Sequence, residues 1–257
     1  MSTHLLAAVA TLVFCAPGYP GGAGDAQPFV DEFAKAAGTS AGWQPGSLAA
    51  VYDPTEPGGM AKLGSADSVL TFVPYAFYVQ HGAELHLSPI AQADVVDVGT
   101  QERWTLVGKA GGVTGPQSMT GYTILSVAGY APEFVRHSAL AEWSLPTDVK
   151  IEATGQILSA LRRVAAGEPV VALLDQTQAA ALPTLPFAAQ LKTLVQSSPL
   201  PVALVAVVAS RVPAPRAKAF QAALLKMGAS SADAATLGSL HLKGFVLPQL
   251  PTHADKP

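Results

Sequence analysis

The chain has 257 residues, 49% of them hydrophobic and 13% charged, and its formal net charge is −3 at pH 7. This length suits either one large α/β domain or two lobes with separate cores. The acidic balance and the lack of a basic run argue against nucleic acid as the main partner and against a polybasic membrane anchor. Because Cys15 is the single cysteine, a disulfide framework and a thiolate zinc site are excluded.

The longest apolar run, residues 5–17, has two interpretations. It is too short to span a bilayer but has the length of a signal-peptide core. The four residues before it contain no Lys or Arg, and bulky Phe14 precedes Cys15 where a lipoprotein signal needs a small residue. We favour a buried first strand at residues 7–14, with the secretion signal as the alternative.

The first half of the chain has the pattern of alternating strands and helices. A glycine-rich turn at residues 16–22 follows the first strand, and Asp25 is placed to cap a helix with Phe29, Phe33 and Ala37 on one face. The next elements are predicted at 48–52 (strand), 56–63 (helix), 67–73 (strand), 75–81 (helix) and 85–90 (strand). This alternation favours a mainly parallel sheet.

The second half continues the pattern. The clearest helix, at residues 156–166, carries Ile157, Leu158, Leu161 and Val164 as its apolar stripe. Strands are predicted at 102–109, 123–127, 170–174, 192–196 and 202–210, and further helices at 132–143, 213–227 and 232–240. No flexible linker interrupts the chain, so we expect two lobes joined by crossing strands. Residues 1–102 and 199–257 then form one lobe, and residues 103–198 form the other.

Polar or glycine-rich groups follow four of the predicted strands. Ligands of open α/β sheets bind outside the carboxyl ends of the strands, and helices that begin at Asp25 and Pro132 would offer free N–H groups to an anion. Tyrosine rings at these ends can line a pocket or simply cover the core. The candidate ligand-binding residues are Tyr19, Gly21, Gly22, Tyr75, Ser126, Gly129, Tyr130, Asp175 and Gln176.

The patterns typical of enzymes are weak in this sequence. It has no G-x-S-x-G motif and no Walker loop, and the glycines after the first strand do not fit a dinucleotide-binding loop. Cys15 is better explained as a small buried hydrophobe than as a nucleophile. Glu133 and Asp175 could act as an acid and a base only if the fold brings them together. We therefore predict no catalytic residue, no metal and no cofactor.

A series of short segments, rather than any one motif, carries a resemblance to a known family. The segments are residues 19–22, 64–75, 104–109, 119–124, the turn at Ser126, Gly129 and Tyr130, residues 165–175 and residues 197–201. In this order they resemble the periplasmic substrate-binding proteins of ABC transporters, in the group that binds phosphate, phosphite or phosphonate. The resemblance covers almost the whole chain.

The resemblance implies a type II two-lobed α/β fold, in which each lobe is a mainly parallel sheet flanked by helices and crossing hinge strands join the lobes. It implies capture of a small polar or anionic, phosphonate-like ligand by closure, and delivery to a membrane permease from the periplasm. Tyr19, Tyr75, Ser126 and the backbone at Gly129 and Tyr130 match family positions near the ligand, and Asp175 matches an acidic one. The family's hydroxyl-rich turn here keeps only Ser126, which leaves the ligand open.

Three functions remain as hypotheses. The first is a monomeric solute-binding protein without stable membrane insertion, which closes on its ligand by a hinge motion. The second is an enzyme on the same fold, and the third is a ligand-sensing domain with the same two lobes. Turnover of a tightly bound ligand would favour the enzyme, and the absence of a DNA-binding segment counts against a stand-alone regulator.

Overall fold

A computed structural model describes residues 9–19 and 21–251. Within them, the strands are β1 (Ala10–Cys15), β2 (Leu48–Asp53), β3 (Ser68–Pro74), β4 (Leu87–Val95), β5 (Gln101–Glu102), β6 (Thr105–Lys109), β7 (Thr123–Ser126), β8 (Lys150–Ala153), β9 (Val170–Leu174), β10 (Leu191–Gln196), β11 (Leu200–Pro201), β12 (Ala203–Val208) and β13 (Leu242–Val246). The helices are α1 (Ala23–Ser40), α2 (Glu56–Gly64), α3 (Tyr75–His81), α4 (Pro132–Phe134), α5 (Ile157–Ala166), α6 (Gln176–Ala181), α7 (Ala214–Leu224) and α8 (Ser231–Ser239).

Most strands belong to two separate sheets. The larger sheet has the order β13-β4-β12-β3-β1-β2, and the smaller has the order β10-β6-β9-β7-β8. Each sheet is mixed: β1 pairs in parallel with β2 and β3, and β7 with β8 and β9, whereas the remaining pairs of both sheets are antiparallel. The predicted α/β class is confirmed, with antiparallel strands added to each parallel core.

Two short strands cross between the sheets. β5 pairs with β11 in antiparallel fashion, with Glu102 opposite Leu200. Next to this pair, the Trp104 backbone N–H donates to Ser197 Oγ at 2.9 Å, and Arg103 donates from its guanidinium to the Ser197 carbonyl at 2.7 Å. These bonds hold together the two places where the chain passes from one sheet to the other.

Both sheets are covered by helices on both faces, which explains their continuous apolar strands. In β1, Leu12 and Phe14 belong to the core beneath α1, whereas Val13 and Cys15 face the core beneath α2 and α3. The smaller sheet repeats this arrangement, with one face under α5 and the other under the segment that begins with α4. An alternating side-chain period with two buried faces produces an unbroken hydrophobic run.

Several predicted elements are confirmed within a residue or two. They are the strands now labelled β2, β3, β7, β9 and β10 and the helices α2, α3, α5 and α8. The first strand is confirmed from Ala10 and extends to Cys15, while residues 7 and 8 of the prediction, like Pro20 in the following turn, lie outside the described residues.

Other details of the prediction are wrong. Asp25 is not the N-cap of α1, because Gly22 holds that position and the helix starts at Ala23. Phe29 and Leu158 are 43% and 44% exposed, since the buried stripes of their helices are centred on neighbouring residues. The predicted 132–143 helix is a short α4 followed by a π-turn at Val135–Ala139. None of the helices in the described ranges is long and apolar enough to cross a membrane.

Candidate functional site

A cavity of about 290 Å³ lies between the two sheets, at the carboxyl ends of β1, β2 and β3. Residues of the larger sheet and the loops beside it form most of its wall, and Glu102 of β5 and Asp175 and Thr177 at the start of α6 contribute to it as well. Its lining is mostly apolar, with Phe14, Phe72 and Val73 among the contributors. A solute in this cavity would contact both halves of the molecule.

An aromatic recess adjoins this cavity. Tyr75, Trp104, Tyr130 and Phe134 line a small void of about 10 Å³, and Tyr19 and Glu102 border both the void and the larger cavity. The rings pack edge to face, with centroid distances of 5.2 Å between Trp104 and Phe134 and 6.1 Å between Tyr75 and Phe134. The recess is therefore preformed by aromatic packing across the two sheets.

The three predicted tyrosines all reach this region. Tyr75 begins α3 and is buried, and its backbone N–H donates to the Val202 carbonyl at 3.0 Å. Burial raises the pKa of Tyr75 to about 12, and burial likewise raises the pKa of Tyr130. Tyr19 is 37% exposed, yet desolvation of its hydroxyl, followed by the nearby Glu102 and Asp175, raises its pKa well above the usual value. All three remain neutral hydrogen-bonding groups at physiological pH.

The turn after β7 uses its polar groups internally. Ser126 is fully buried, its Oγ accepts from the Ala128 N–H at 3.2 Å, and it is not among the residues that line either void. The Gly129 N–H donates to the Ser126 carbonyl at 3.1 Å. Gly129 is required for packing, because an added Cβ would lie 2.2 Å from the Glu152 carbonyl oxygen. Hydrogen bonds within the turn and close packing against β8 therefore explain the presence of Ser126 and Gly129 at these two predicted positions.

The starts of helices α1 and α4, which were expected to attract an anion, lie outside the cleft lining or are occupied by another side chain. At α1, Gly21 and Gly22 are exposed and lie outside both cavity linings. At α4, the Glu133 N–H donates to Gln80 Oε1 of α3 at 3.0 Å, so an amide side chain from a helix of the larger sheet occupies that position. Neither start therefore lines the voids that the structure forms.

Asp175 lies in the cavity wall and also begins α6. Its Oδ1 accepts from the Gln178 N–H at 2.8 Å as an N-cap, and Gln178 bonds back to the Asp175 N–H. Gln176 is half-buried and outside both linings, and its backbone N–H, rather than its side chain, is directed toward Glu102. Asp175 thus combines a structural cap with a carboxylate at the cleft.

Two residues that sequence reasoning missed, Glu102 and Trp104, lie at the centre of this region. Both are buried, with 5% and 3% exposure. The indole N–H of Trp104 is buried without a hydrogen-bond acceptor among the described residues. The sequence carried little signal for Glu102, because its neighbours Gln101 and Arg103 are polar and its burial follows only from the crossing of the strands.

The cleft is acidic. Burial, followed by the charge of Asp175, raises the pKa of Glu102 to about 8, and burial also raises the pKa of Asp175. Within residues 9–19 and 21–251, no Lys, Arg or His lines the two voids, and no cluster of possible metal ligands occurs. The arrangement can accept hydrogen bonds and positive charge more readily than it can neutralise an anion.

Cys15 and Glu133 show no catalytic arrangement. Burial, followed by the charges of Asp53 and Glu56, raises the pKa of the Cys15 thiol to about 12, which disfavours the reactive thiolate. Glu133 lines neither void and its side chain is 59% exposed, whereas Asp175 is buried in the cavity wall. The acid–base pairing considered from sequence therefore has no support in the cleft.

Solved structures with the same fold include transport proteins. A Xanthomonas citri protein bound to chloride has a TM-score of 0.70 at 12% identity, with 95% of this chain and 93% of that chain covered. A binding protein component of an ABC phosphonate transporter from Pseudomonas aeruginosa has a TM-score of 0.60 at 14% identity, covering 93% and 82%. A Prochlorococcus marinus protein in complex with methylphosphonate has a TM-score of 0.54 at 12% identity, covering 93% of each chain. These likenesses establish the two-lobed type II binding-protein fold.

No curated protein sequence matches the chain. Residues 96–251, more than half of its length, match the family described as "ABC transporter, phosphonate, periplasmic substrate-binding protein". The matched part contains the crossing segment with Glu102 and Trp104, the whole smaller sheet, and the strands that return to the larger one. The chain belongs to the phosphonate periplasmic substrate-binding protein family of ABC transporters.

Proposed function

We propose that this protein captures a small polar solute in the cleft between its sheets and delivers it to the permease of an ABC transporter. The observation that carries the proposal is the cavity of about 290 Å³ whose wall is built from both sheets. A solute held there links the two halves and favours the closed state over the open one. A phosphate- or phosphonate-like anion is the ligand class that membership of the family implies.

The sheet topology supports lobe boundaries at residues 102/103 and 198/199. Strands of the larger sheet fall within residues 10–95 and 203–246, and those of the smaller within 105–196. The β5–β11 pair lies between them and would act as the hinge. Rotation about two crossing strands opens the cleft without disturbing either core.

Tyr19, Tyr75, Tyr130 and Asp175 are the predicted site residues that we retain as direct ligand contacts. Each lines at least one of the two voids. Ser126, Gly129, Gly21 and Gly22 are assigned to shaping the turns, and Gln176 to the backbone environment of Glu102. We also assign the chain to the periplasm, as a monomer that releases its ligand unchanged.

A binding screen with the purified chain tests the proposal. Small anions including inorganic phosphate and methylphosphonate, together with neutral and cationic solutes, are added during thermal unfolding. A solute at a hundredfold excess over its dissociation constant should stabilise the chain by about 2.7 kcal/mol. Analysis of the recovered solute separates binding from turnover, because an enzyme would return a changed product.

Tyr19→Ala provides the site-specific arm of the screen, with Phe29→Ala as its control. The two aromatic side chains are 37% and 43% exposed, but only Tyr19 borders the cleft. We expect Tyr19→Ala to weaken binding of the stabilising solute at least tenfold, about 1.4 kcal/mol, and Phe29→Ala to leave it unchanged. Equal affinities in both variants, or no stabilising solute at all, would contradict a solute site in this cleft.

A further inference from the structure

The cleft contains two buried acids that backbone N–H groups approach but that no cationic side chain among the described residues pairs with. Glu102 and Asp175 are 5% and 6% exposed, and both line the larger cavity. Neither takes part in an ion pair among residues 9–19 and 21–251. Buried carboxyl groups are normally paired or hydrogen-bonded, because an isolated buried charge is costly. Glu102 and Asp175 line one cavity and repel each other when both are ionised, so a positively charged ligand group would be favoured there.

The polar groups that surround Glu102 in the described part of the chain are neutral or acidic. Tyr19 approaches Glu102 from the loop after β1, and Asp175 approaches it from the end of β9. The Gln176 backbone N–H and the Trp104 indole favour the ionised form of Glu102, but they offset the effects of burial and of Asp175 only in part. The Trp104 N–H lies near Glu102, but among residues 9–19 and 21–251 it forms no hydrogen bond of good geometry. A cation that ionised Glu102 would also provide this indole with a charged acceptor.

The same place is surrounded by aromatic rings. Tyr19 borders both voids, and Tyr75, Trp104 and Phe134 form the edge-to-face group of the recess. Aromatic faces attract ammonium groups, and the attraction is stronger where water is excluded. Acids and aromatic rings together form the chemistry that recognises an organic ammonium ion.

The groups that would hold a phosphonate dianion are used elsewhere. The Gly129 N–H donates within the turn and the Glu133 N–H donates to Gln80, whereas Ser126 is fully buried and lines neither void. A dianion would also face the carboxyl groups of Glu102 and Asp175, and the described residues that line the two voids include no Lys, Arg or His. The cleft therefore departs from a phosphonate site in both hydrogen bonding and charge.

We propose that the ligand of this cleft is an organic ammonium ion with an apolar body, its cationic group seated on Glu102 and Asp175 against the aromatic rings. The apolar part would occupy the cavity of about 290 Å³ beside Phe14, Phe72 and Leu242. A cavity of roughly 150 Å³ holds benzene, so this volume suits a ligand of roughly a dozen non-hydrogen atoms. The inference rests on the proposed solute-binding function and names its ligand class.

Three probes that share one apolar body test the charge preference. They are 4-phenylbutylammonium, 4-phenyl-1-butanol and 4-phenylbutylphosphonate, titrated calorimetrically into the full chain at pH 7.5. We expect the ammonium probe to bind at least roughly a hundredfold more tightly than the alcohol, and the phosphonate to bind most weakly. A phosphonate or alcohol that bound as tightly as the ammonium probe would overturn the inference while leaving the solute-binding function intact.

Charge-removing variants locate the cation. Glu102→Gln and Asp175→Asn should each lower the affinity for the ammonium probe at least roughly tenfold and change the affinity for the alcohol little. Asn at position 175 can still act as the N-cap of α6. Glu84→Gln, whose side chain is 72% exposed on the surface, is the matched control and should change neither probe. Retained affinity for the alcohol probe and an unchanged midpoint of unfolding show that a variant is folded. Unchanged ammonium affinity in folded Glu102→Gln and Asp175→Asn would refute the assignment.

The pH dependence gives an independent readout. Because Glu102 must be ionised to receive the cation, ammonium affinity should rise from pH 6 to pH 8.5 with release of a proton on binding, whereas an anion would bind more weakly as pH rises. A flat or falling ammonium affinity would overturn the inference. If none of the three probes binds but another solute of the screen stabilises the chain, only the ammonium inference fails. If nothing binds, the solute-binding function fails with it.

Discussion

Gly18 and Val127 touch across the cleft. A Cβ atom added to Gly18 would lie 2.5 Å from the Val127 carbonyl oxygen, and Gly18 has a φ of +83°, a conformation that other residues rarely adopt. Gly18 follows β1 of the larger sheet and Val127 follows β7 of the smaller one. The approach of the two sheets thus depends on the absence of a side chain at this position.

We expect Gly18→Ala to hold the sheets apart and to lower the affinity for a captured solute roughly tenfold. The comparison is with Gly111→Ala, because Gly111 has a similar φ of +77° and open space around its Cα. Both variants bear a left-handed alanine, which costs about 1 kcal/mol, but only Gly18→Ala meets the other sheet. Titration calorimetry checks affinity and small-angle scattering checks the degree of closure. Equal behaviour of the two variants would show that the Gly18–Val127 contact does not limit closure.

Gly129→Ala should destabilise the fold. The added Cβ would lie 2.2 Å from the Glu152 carbonyl oxygen and 2.5 Å from the Ala153 nitrogen, both backbone atoms of β8. Overpacking of this kind costs about 1–3 kcal/mol or more, which urea unfolding would measure. Gly155→Ala, with no atom within 4 Å of its added Cβ, is the control and should change stability little. A Gly129→Ala variant as stable as Gly155→Ala would mean that β8 can move away from the turn.

The pKa of Glu102 predicts how stability depends on pH. In the folded chain this pKa is about 8, against an ordinary value of 4.5, because of burial and then Asp175. Between these values the folded state keeps a proton that the unfolded state has released, so the free energy of unfolding falls as pH rises from about 4.5 to about 8. One such group contributes at most about 1.4 kcal/mol per pH unit.

Glu102→Gln removes the group responsible for this loss of stability. We therefore expect the free energy of unfolding of the variant, minus that of the natural chain, to increase from pH 5 to pH 8.5. Urea unfolding of both proteins at pH 5, 7 and 8.5 measures the difference. Asp175, whose raised pKa acts in the same direction, is present in both proteins, so the comparison isolates Glu102. A stability difference that did not change with pH would show that Glu102 ionises normally in the folded chain.

The sequence by itself determined the α/β class, most element positions and the family, because those depend on local patterns. Apolar runs bounded by turns marked β7 and β9, and a 3.6-residue period with Gly167 at its end marked α5. The exact face of a helix depends on packing: Phe29 fits the spacing of a buried stripe but is exposed, since the packing of α1 against its neighbours buries Val30 instead.

Only the tertiary structure decided the composition of the cleft. Glu102 and Asp175 end strands in different parts of the chain, and no local pattern shows that crossing strands bring them beside Trp104 and Tyr19. The same holds for Ser126, whose hydroxyl suits a ligand in the sequence but is buried outside both voids in the fold, where it accepts from the Ala128 N–H. Burial and charge balance arise from contacts between distant residues, and for that reason they could not be inferred from local sequence.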